Sequence, residues 1–110
     1  MNNKDIKVLQ KVLDEIKYIE LFSQNVEFEA FIKNEMVKRS VAMTLINIGE
    51  LTRILSDELK QSTKGIPFKG IMAMRNVAAH GYEELRFDYV WDTIKTDIPE
   101  LKVAIKGLIT

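Results

Sequence analysis

The chain has 110 residues, 46% of them hydrophobic, and its 16 basic residues balance its 16 acidic ones. This length and composition predict one folded domain over residues 1–110 and exclude a disordered protein. The even charge excludes a broad basic face for long nucleic acids, so any contact with nucleic acid should be brief or confined to a small cleft.

Composition also argues against several kinds of site and location. Without cysteine, the chain has no disulfide framework and no thiolate metal site. One histidine with scattered carboxylates supplies no recurring ligand set, so we expect no metal and no cofactor. No apolar run approaches the roughly 20 residues that span a bilayer, and residues 1–5 do not resemble a signal peptide. We therefore expect no membrane association and a cytoplasmic location.

The first predicted element is a helix over residues 4–22. Its apolar side chains recur every three or four positions, at Ile6, Leu9, Val12, Leu13, Ile16, Ile19 and Phe22. This spacing is typical of a helix with one buried stripe. The turn and capping residues at positions 23–25 predict its end.

Helical spacing resumes at Phe28 and continues to Leu59. The pattern fits either one long helix or two helices joined near Asn34, which could cap the second. Gly49 has no turn-forming neighbours. We therefore expect it to mark a close approach between helices, because glycine otherwise costs a helix about 1 kcal/mol relative to alanine.

A third main helix is predicted after a polar loop at residues 61–65. Pro67 suits the first turn of this helix, where its missing N–H costs nothing. The apolar run that begins at Phe68 is helical in pattern. Gly81 predicts the end of the helix, because glycine readily takes the left-handed conformation that often terminates one.

The last helical pattern runs from Phe87 to Leu108, and Pro99 should kink or break it. No segment alternates apolar and polar residues with a period of two, so we expect no sheet. The predicted fold is therefore all-α, an antiparallel bundle of four to five helices.

Most of the reactive side chains lie together at the end of the third helix: Arg75, the single histidine His80, and Tyr82. On an unbroken helix, Arg75 and His80 would lie about 140° apart around the axis and about 7.5 Å apart along it. Asn76 and His80 would share a face. These groups can line one concave surface only if the helix ends near His80 or a second subunit supplies the other wall.

The string of Arg75, His80 and Tyr82 resembles the Arg-x4-His-x-Tyr signature of HepT-like proteins in the HEPN superfamily. Other blocks resemble the same family in order and spacing, and they cover the chain from about residue 36 onward: Arg39, residues 46–50, 66–68, 74–76, 90–91 and 97–101. The resemblance implies a HEPN-like helical bundle.

Each candidate residue also has a structural interpretation. His80 could bind the free carbonyls at the helix end, although imidazole is the group best suited to acid–base chemistry near neutral pH. Arg75 could cover apolar surface, although its fork of donors matches a phosphate. Asn76 could orient the imidazole or a bound phosphodiester, or merely bond to nearby backbone. Glu50 could pair with Arg75 if their helices face each other, or it could be an ordinary surface carboxylate. With the family pattern in place, we predict that Arg75 and His80 are catalytic and that Asn76 and Glu50 support them.

The resemblance implies a metal-independent endoribonuclease, the toxin of a HepT/MntA-type toxin–antitoxin pair that cuts RNA such as tRNA. It also implies a homodimer whose two Arg75/His80 pairs face one cleft. In the family, the tyrosine that matches Tyr82 accepts AMP from a nucleotidyltransferase antitoxin (MntA-like), which silences the toxin. A phosphate there would place negative charge where the RNA backbone must lie. The alternative is a non-catalytic helical adaptor of a nucleotidyltransferase, with Tyr82 as the modified group.

Overall fold

A computed structural model describes residues 1–63 and 65–110. The α-helices are α1 (Asn3–Ser23), α2 (Phe28–Lys33), α3 (Glu35–Arg53), α4 (Asp57–Ser62), α5 (Phe68–His80), α6 (Phe87–Asp92) and α7 (Ile98–Ile109). A 3₁₀ turn at Tyr82–Glu84 follows α5, and a π-helical turn at Thr93–Asp97 joins α6 to α7. The described residues include no strand. The predicted all-α class is confirmed.

Helix α3 lies at the centre of the bundle. It packs against both α1 and α5, and α7 also packs against α1. The four long helical elements, counting the run from α6 to α7 as one, supply most of the fully buried side chains, and the short helix α2 adds Phe31. Those of the long elements include Leu9, Ile16, Leu45, Ile48, Ile71, Leu101 and Ile105. The predicted bundle is thus confirmed. No helix within the described part of the chain combines the length and apolar character needed to cross a membrane.

Cross-helix contacts fix the direction of neighbouring helices. Early in α1, Asp5 contacts Ser56, which lies just after α3, whereas Glu15 farther along α1 contacts Asn47 within α3. The two helices are therefore antiparallel. Helices α3 and α5 are antiparallel as well, because Arg75 pairs with Glu50 while the later Tyr82 pairs with the earlier Glu35.

Of the two interpretations of the segment after Phe28, the structure has two helices joined at Asn34. Its side-chain oxygen accepts a hydrogen bond from the N–H of Val37 at 3.1 Å and so caps α3. The prediction that helix continues without a break to Leu59 is wrong. The helix α3 ends at Arg53, and a separate short helix, α4, begins at Asp57.

The break between α3 and α4 is held by a buried carboxylate. Asp5 is 1% exposed. It accepts hydrogen bonds from the N–H of Ser56 at 2.9 Å and from the Ser56 hydroxyl at 2.6 Å. The same hydroxyl oxygen caps α4 by accepting from the N–H of Leu59 at 3.2 Å. The hydrogen bond from the Ser56 hydroxyl is the main reason that the pKa of Asp5 lies below its usual value. This contact joins residues 51 positions apart, so helical periodicity could not reveal it.

Two details around α5 differ from the predictions. The loop predicted at residues 61–65 is partly wrong, because α4 continues to Ser62, and residue 64 lies outside the described residues. The helix α5 does end before Gly81, as predicted. However, Gly81 has φ 168° and ψ 134°, which is extended and not left-handed. Its N–H still bonds to the carbonyl of Val77 at 3.3 Å, and the chain then turns directly into the 3₁₀ segment.

Pro99 neither breaks the final helix nor leaves it regular. It lies in the first turn of α7, immediately after the π-helical turn. Proline offers no N–H to the carbonyl four residues earlier, and its ring crowds that carbonyl. The π-helical turn widens the helix at this point, and the N–H of Ile98 bonds to the carbonyl of Thr93, five residues back. The chain therefore remains helical through the proline.

Candidate active site

The closest approach between α3 and α5 lies at Gly49. A Cβ atom added there would overlap the Cβ and Cγ atoms of Arg75. Only glycine leaves room for the arginine stem at this position. The prediction that Gly49 marks a close approach between helices is confirmed. The contact fixes the position of the first side-chain atoms of Arg75.

The guanidinium of Arg75 lies in a polar group that we call the Glu50 cluster, made of Glu50, Arg53, Arg75 and Asn76. Arg75 donates from Nη2 to Glu50 Oε1, and from Nη1 to Asn76 Oδ1 at 2.9 Å. Glu50 also accepts from Arg53 Nη2 at 3.2 Å. The hydrogen bond from Arg75 is the main reason that the pKa of Glu50 is lowered. The predicted pairing of Glu50 with Arg75 is therefore present.

Packing holds this guanidinium more firmly than a surface ion pair would. The Arg75 side chain is only 26% exposed. Its Nε atom is buried and has no hydrogen-bond partner among the described residues. A partly buried arginine held by a carboxylate keeps its charge and its orientation. This arrangement suits the binding of an anion at the exposed edge of the guanidinium.

His80 is the last residue of α5, and its side chain is exposed. Because α5 is unbroken from Phe68 to His80, the side chains of Arg75 and His80 leave the helix about 140° apart around its axis. Asn76 is bound to Arg75. The structure therefore brings Arg75, Asn76 and Glu50 into direct contact and leaves His80 outside that contact.

Tyr82 lies in a second polar group, which we call the Glu35 cluster and define as Glu35, Lys38, Arg39 and Tyr82. The Tyr82 hydroxyl donates to Glu35 Oε2 at 2.8 Å. The Arg39 Cζ atom lies 4.2 Å from the centroid of the Tyr82 ring, and the ring also packs on Phe87 at 5.3 Å. Burial is the main reason that the pKa of Tyr82 is raised, and the hydrogen bond to Glu35 adds to it.

Glu35 links the members of this cluster. Lys38 Nζ lies 3.0 Å from Glu35 Oε1, and Arg39 Nε lies 3.4 Å from Oε2. The hydrogen bond from Tyr82 is the main cause of a lowered Glu35 pKa, followed by the one from Lys38. Sequence reasoning missed Glu35. It is one of 16 acidic residues, and its contact with Tyr82 spans 47 positions.

The two clusters lie at opposite ends of α3. Glu35 and Glu50 are 15 positions apart on this helix, or about 22 Å at roughly 1.5 Å per residue. Between them, the antiparallel α5 passes from Arg75 to His80. Within the described residues, no set of three or more histidine and carboxylate side chains is arranged to hold a metal ion.

The fold and the site define an all-α protein with a fixed arginine and an exposed histidine on one helix. Residues 12–108 match the family model described as Ribonuclease HepT-like. The chain belongs to the HepT-like ribonuclease family, and the resemblance noted from the sequence is confirmed.

Several relatives match over nearly the whole chain. "Putative RNase MJ1216" of Methanocaldococcus jannaschii is 34% identical over 110 residues, which cover 99% of this chain and 91% of the relative. "Probable ribonuclease HepT" of Thermococcus cleftensis is 30% identical over 100 residues, 91% of each chain. "Putative RNase TTE0752" of Caldanaerobacter subterraneus subsp. tengcongensis is 29% identical over 101 residues, 92% of this chain and 90% of the relative. No solved structure matches the chain significantly.

Proposed function

We propose that this protein is a metal-independent endoribonuclease, the toxin of a toxin–antitoxin pair. The observation that carries the proposal is the fixed position of the Arg75 side chain. Its stem is confined over Gly49 and its guanidinium is held by Glu50, while His80, on the same helix, is exposed to solvent. Membership of a ribonuclease family and the names of the relatives support the same class.

In this proposal Arg75 binds the scissile phosphate and stabilises the charge that builds on it in the transition state. The Nη1 atom bonds to the exposed Asn76, so a phosphate oxygen can replace that amide without disturbing the bond to Glu50. His80 acts as general base or acid on the ribose 2′-hydroxyl or on the leaving oxygen. Both are proposed as catalytic, and Asn76 and Glu50 as positioning residues.

The geometry of α5 supports a dimeric site. The side chains of Arg75 and His80 diverge by about 140° around the helix, and one imidazole cannot easily serve as both base and acid. A two-fold dimer with both Arg75/His80 pairs in one cleft supplies two imidazoles and a second wall, through an isologous interface. A small cationic cleft on a chain without net charge fits a structured RNA such as tRNA.

We further propose that a nucleotidyltransferase antitoxin silences the protein by transferring AMP to Tyr82. The modified oxygen would lie two residues from His80. The added phosphate would bring negative charge and bulk to the place where the RNA backbone must approach the imidazole.

RNA cleavage by purified protein in the presence of a chelator tests the nuclease. We expect Arg75→Ala and His80→Ala each to lose about 10²-fold or more in rate. Arg86→Ala is the matched control, because Arg86 is an exposed arginine outside both clusters. It should cut like wild type. Cleavage that requires added metal, or that His80→Ala leaves intact, would contradict the mechanism.

Mixing wild type with the inactive double variant Arg75→Ala/His80→Ala tests the composite cleft. A mixed dimer then holds one arginine and one imidazole instead of two of each. If the cleft needs both imidazoles, mixed dimers are inactive, and the cleavage rate per wild-type chain should fall as the double variant is added in excess. If mixed dimers form and that rate stays constant, each protomer works on its own and the composite cleft is wrong.

A second candidate is a non-catalytic adaptor of a nucleotidyltransferase. The observation that favours it is that both Nη atoms of Arg75 are already bound within the chain, to Glu50 and to Asn76. Growth arrest that His80→Ala does not relieve would favour the adaptor. The intact mass of the protein co-expressed with its genomic partner shows whether Tyr82 carries a nucleotide in either case.

A further inference from the structure

The hydrogen bond between Tyr82 and Glu35 assigns a role to a residue outside the sequence motif. We propose that Glu35 is the general base that removes the phenol proton when AMP is transferred to Tyr82, and that Arg39 neutralises the phosphate that arrives. The inference rests on the proposed modification of Tyr82. It places part of the transfer chemistry on the chain that is modified.

Glu35 is placed for proton transfer. Its Oε2 atom accepts from the Tyr82 hydroxyl at 2.8 Å, which is within the range needed for general base catalysis. The carboxylate is 61% exposed, so a proton that it receives can pass on to water. The other charged groups that face it are Lys38 at 3.0 Å and Arg39 at 3.4 Å. Both are cations, and with the hydrogen bond from Tyr82, the largest cause, they lower the pKa of Glu35. The carboxylate is therefore ionised at neutral pH and free to accept the phenol proton, although the same cations weaken it as a base.

Tyr82 needs such a base. Its pKa is raised by burial and by the neighbouring carboxylate, so the phenol carries its proton at neutral pH. A protonated hydroxyl is a weak nucleophile unless an adjacent base removes the proton as the new bond forms. Glu35 can act as this base, because its carboxylate already accepts the hydrogen bond from the Tyr82 hydroxyl.

The transfer balances without an oxidant or reductant. The phenolic oxygen forms a bond to the α-phosphorus of ATP, the nucleoside triphosphate that the transferase supplies. The bond from that phosphorus to pyrophosphate breaks, and pyrophosphate leaves with the electron pair. The phenol proton moves to the Glu35 carboxylate and then to water. The product is a phosphodiester on Tyr82 that carries one negative charge next to Glu35.

Arg39 is the cation placed to offset that charge. Its Cζ atom lies 4.2 Å from the centroid of the Tyr82 ring, and its side chain is 65% exposed. It therefore has freedom to turn from the ring towards a phosphate attached to the same side chain. The planar fork of an arginine matches phosphate oxygens in geometry as well as in charge.

A second tyrosine provides a comparison within the same chain. The Arg86 Cζ atom lies 4.3 Å from the Tyr89 ring centroid, and Arg86 pairs with Asp88 at 3.0 Å. The hydroxyl of Tyr89, however, accepts from Arg86 Nη1 at 3.2 Å, and no carboxylate in the described parts of the chain accepts its proton. Tyr89 thus has the stacked arginine without the base, and we expect it to stay unmodified.

The experiment follows modification of the full chain by its cognate nucleotidyltransferase with ATP and Mg²⁺, using intact mass against time. Glu35→Gln should slow the transfer by about 10²-fold, as expected for loss of a general base. Arg39→Gln should slow it by a factor on the order of 10². Arg86→Gln is the matched control and should react at the wild-type rate. Circular dichroism of each variant checks that the helices are intact.

The pH dependence separates a base from a merely structural residue. In Glu35→Gln only the phenolate reacts, so the rate should rise about tenfold per pH unit towards the tyrosine pKa. The wild type should be nearly flat over the same range. Equal rates and equal pH profiles would overturn the role of Glu35 while leaving the modification intact. Failure of the wild-type chain itself to gain mass, or gain of mass by Tyr82→Phe, would instead overturn modification at Tyr82.

Discussion

Arg75 and Arg39 each contact a carboxylate of α3, but their surroundings differ. Arg75 is 26% exposed, its stem is confined by Gly49, and its Nε is buried. Arg39 is 65% exposed and lies over an aromatic ring. The Glu50 cluster thus holds its arginine by packing between two helices, whereas the Glu35 cluster leaves its arginine and its carboxylate at the surface.

This difference fits the two proposed tasks. A cation that stabilises a transition state acts best when its orientation is fixed before substrate arrives, because no reorganisation is then needed. A cation that receives a newly attached phosphate must be able to move. The Glu50 cluster therefore suits catalysis, and the Glu35 cluster suits modification.

The largest expected effect comes from freeing Arg75. Glu50→Ala removes the carboxylate that holds the guanidinium, and we expect RNA cleavage to fall by up to about 100-fold, because small misplacements of a catalytic group have effects of this size. Glu58→Ala is the control, an exposed carboxylate on α4. If both variants cut RNA at the same rate, the fixed orientation of Arg75 is unimportant for catalysis.

Filling the gap at Gly49 should break the packing that distinguishes the Glu50 cluster. Gly49→Ala puts a methyl group where the Arg75 stem lies, and we expect a loss of about 1–3 kcal/mol in the free energy of unfolding. Gly107→Ala is the control, because nothing lies within 4 Å of the added Cβ. It should gain up to about 1 kcal/mol from helix propensity. Urea unfolding measures both, and equal shifts would refute the close contact.

Replacing the buried Asp5 tests where the loss of folding stability in acid comes from. It comes either from the Glu50 and Glu35 clusters or from the contact of Asp5 with Ser56, which joins α1 to the start of α4. The folded-state pKa of Asp5 lies below the ordinary 3.8. The stability that Asp5 contributes is therefore fully present above pH 3.8 and is lost as the pH falls through the pKa of Asp5 in the folded state. Asp5→Asn should cost about 1–3 kcal/mol at neutral pH and flatten the acid loss. Urea midpoints between neutral and acid pH measure this, with exposed Asp92→Asn as the control that should retain the wild-type slope.

The smallest expected effects compare the two ion pairs directly. Double-mutant cycles give the coupling free energy of Glu50 with Arg75 and of Glu35 with Arg39. We expect the first coupling to be larger and to persist at high salt, because its arginine is partly buried. The second should be small and screened by salt, as is usual for exposed pairs. Couplings of equal size and equal salt dependence would erase the distinction between the clusters.

Part of the site was readable from residue type and local spacing. The position of Gly49 within a helical pattern without turn residues predicted the close helix contact, because glycine is otherwise unfavourable there. Asn34 was named as a possible cap, and it does cap α3. Arg75, His80 and Tyr82 were singled out by their spacing and the family signature. Their proposed roles stay predictions.

The contacts that define how the site works were not readable in the same way. The break after Arg53 depends on Asp5, 51 positions from Ser56. The partner of Tyr82 is a carboxylate 47 positions away. The extended Gly81 was also missed, because the conformation of a helix end depends on where the following turn packs.

The amino-acid sequence by itself determined the all-helical class, the ends of α1 and α5 and the set of reactive side chains, because these depend on periodicity and capping within a few residues. Only the tertiary structure decided which carboxylate each arginine contacts and which group accepts the Tyr82 proton. Those pairings join distant parts of the chain, and they exist only where α3 packs against α5 and the turn that follows it.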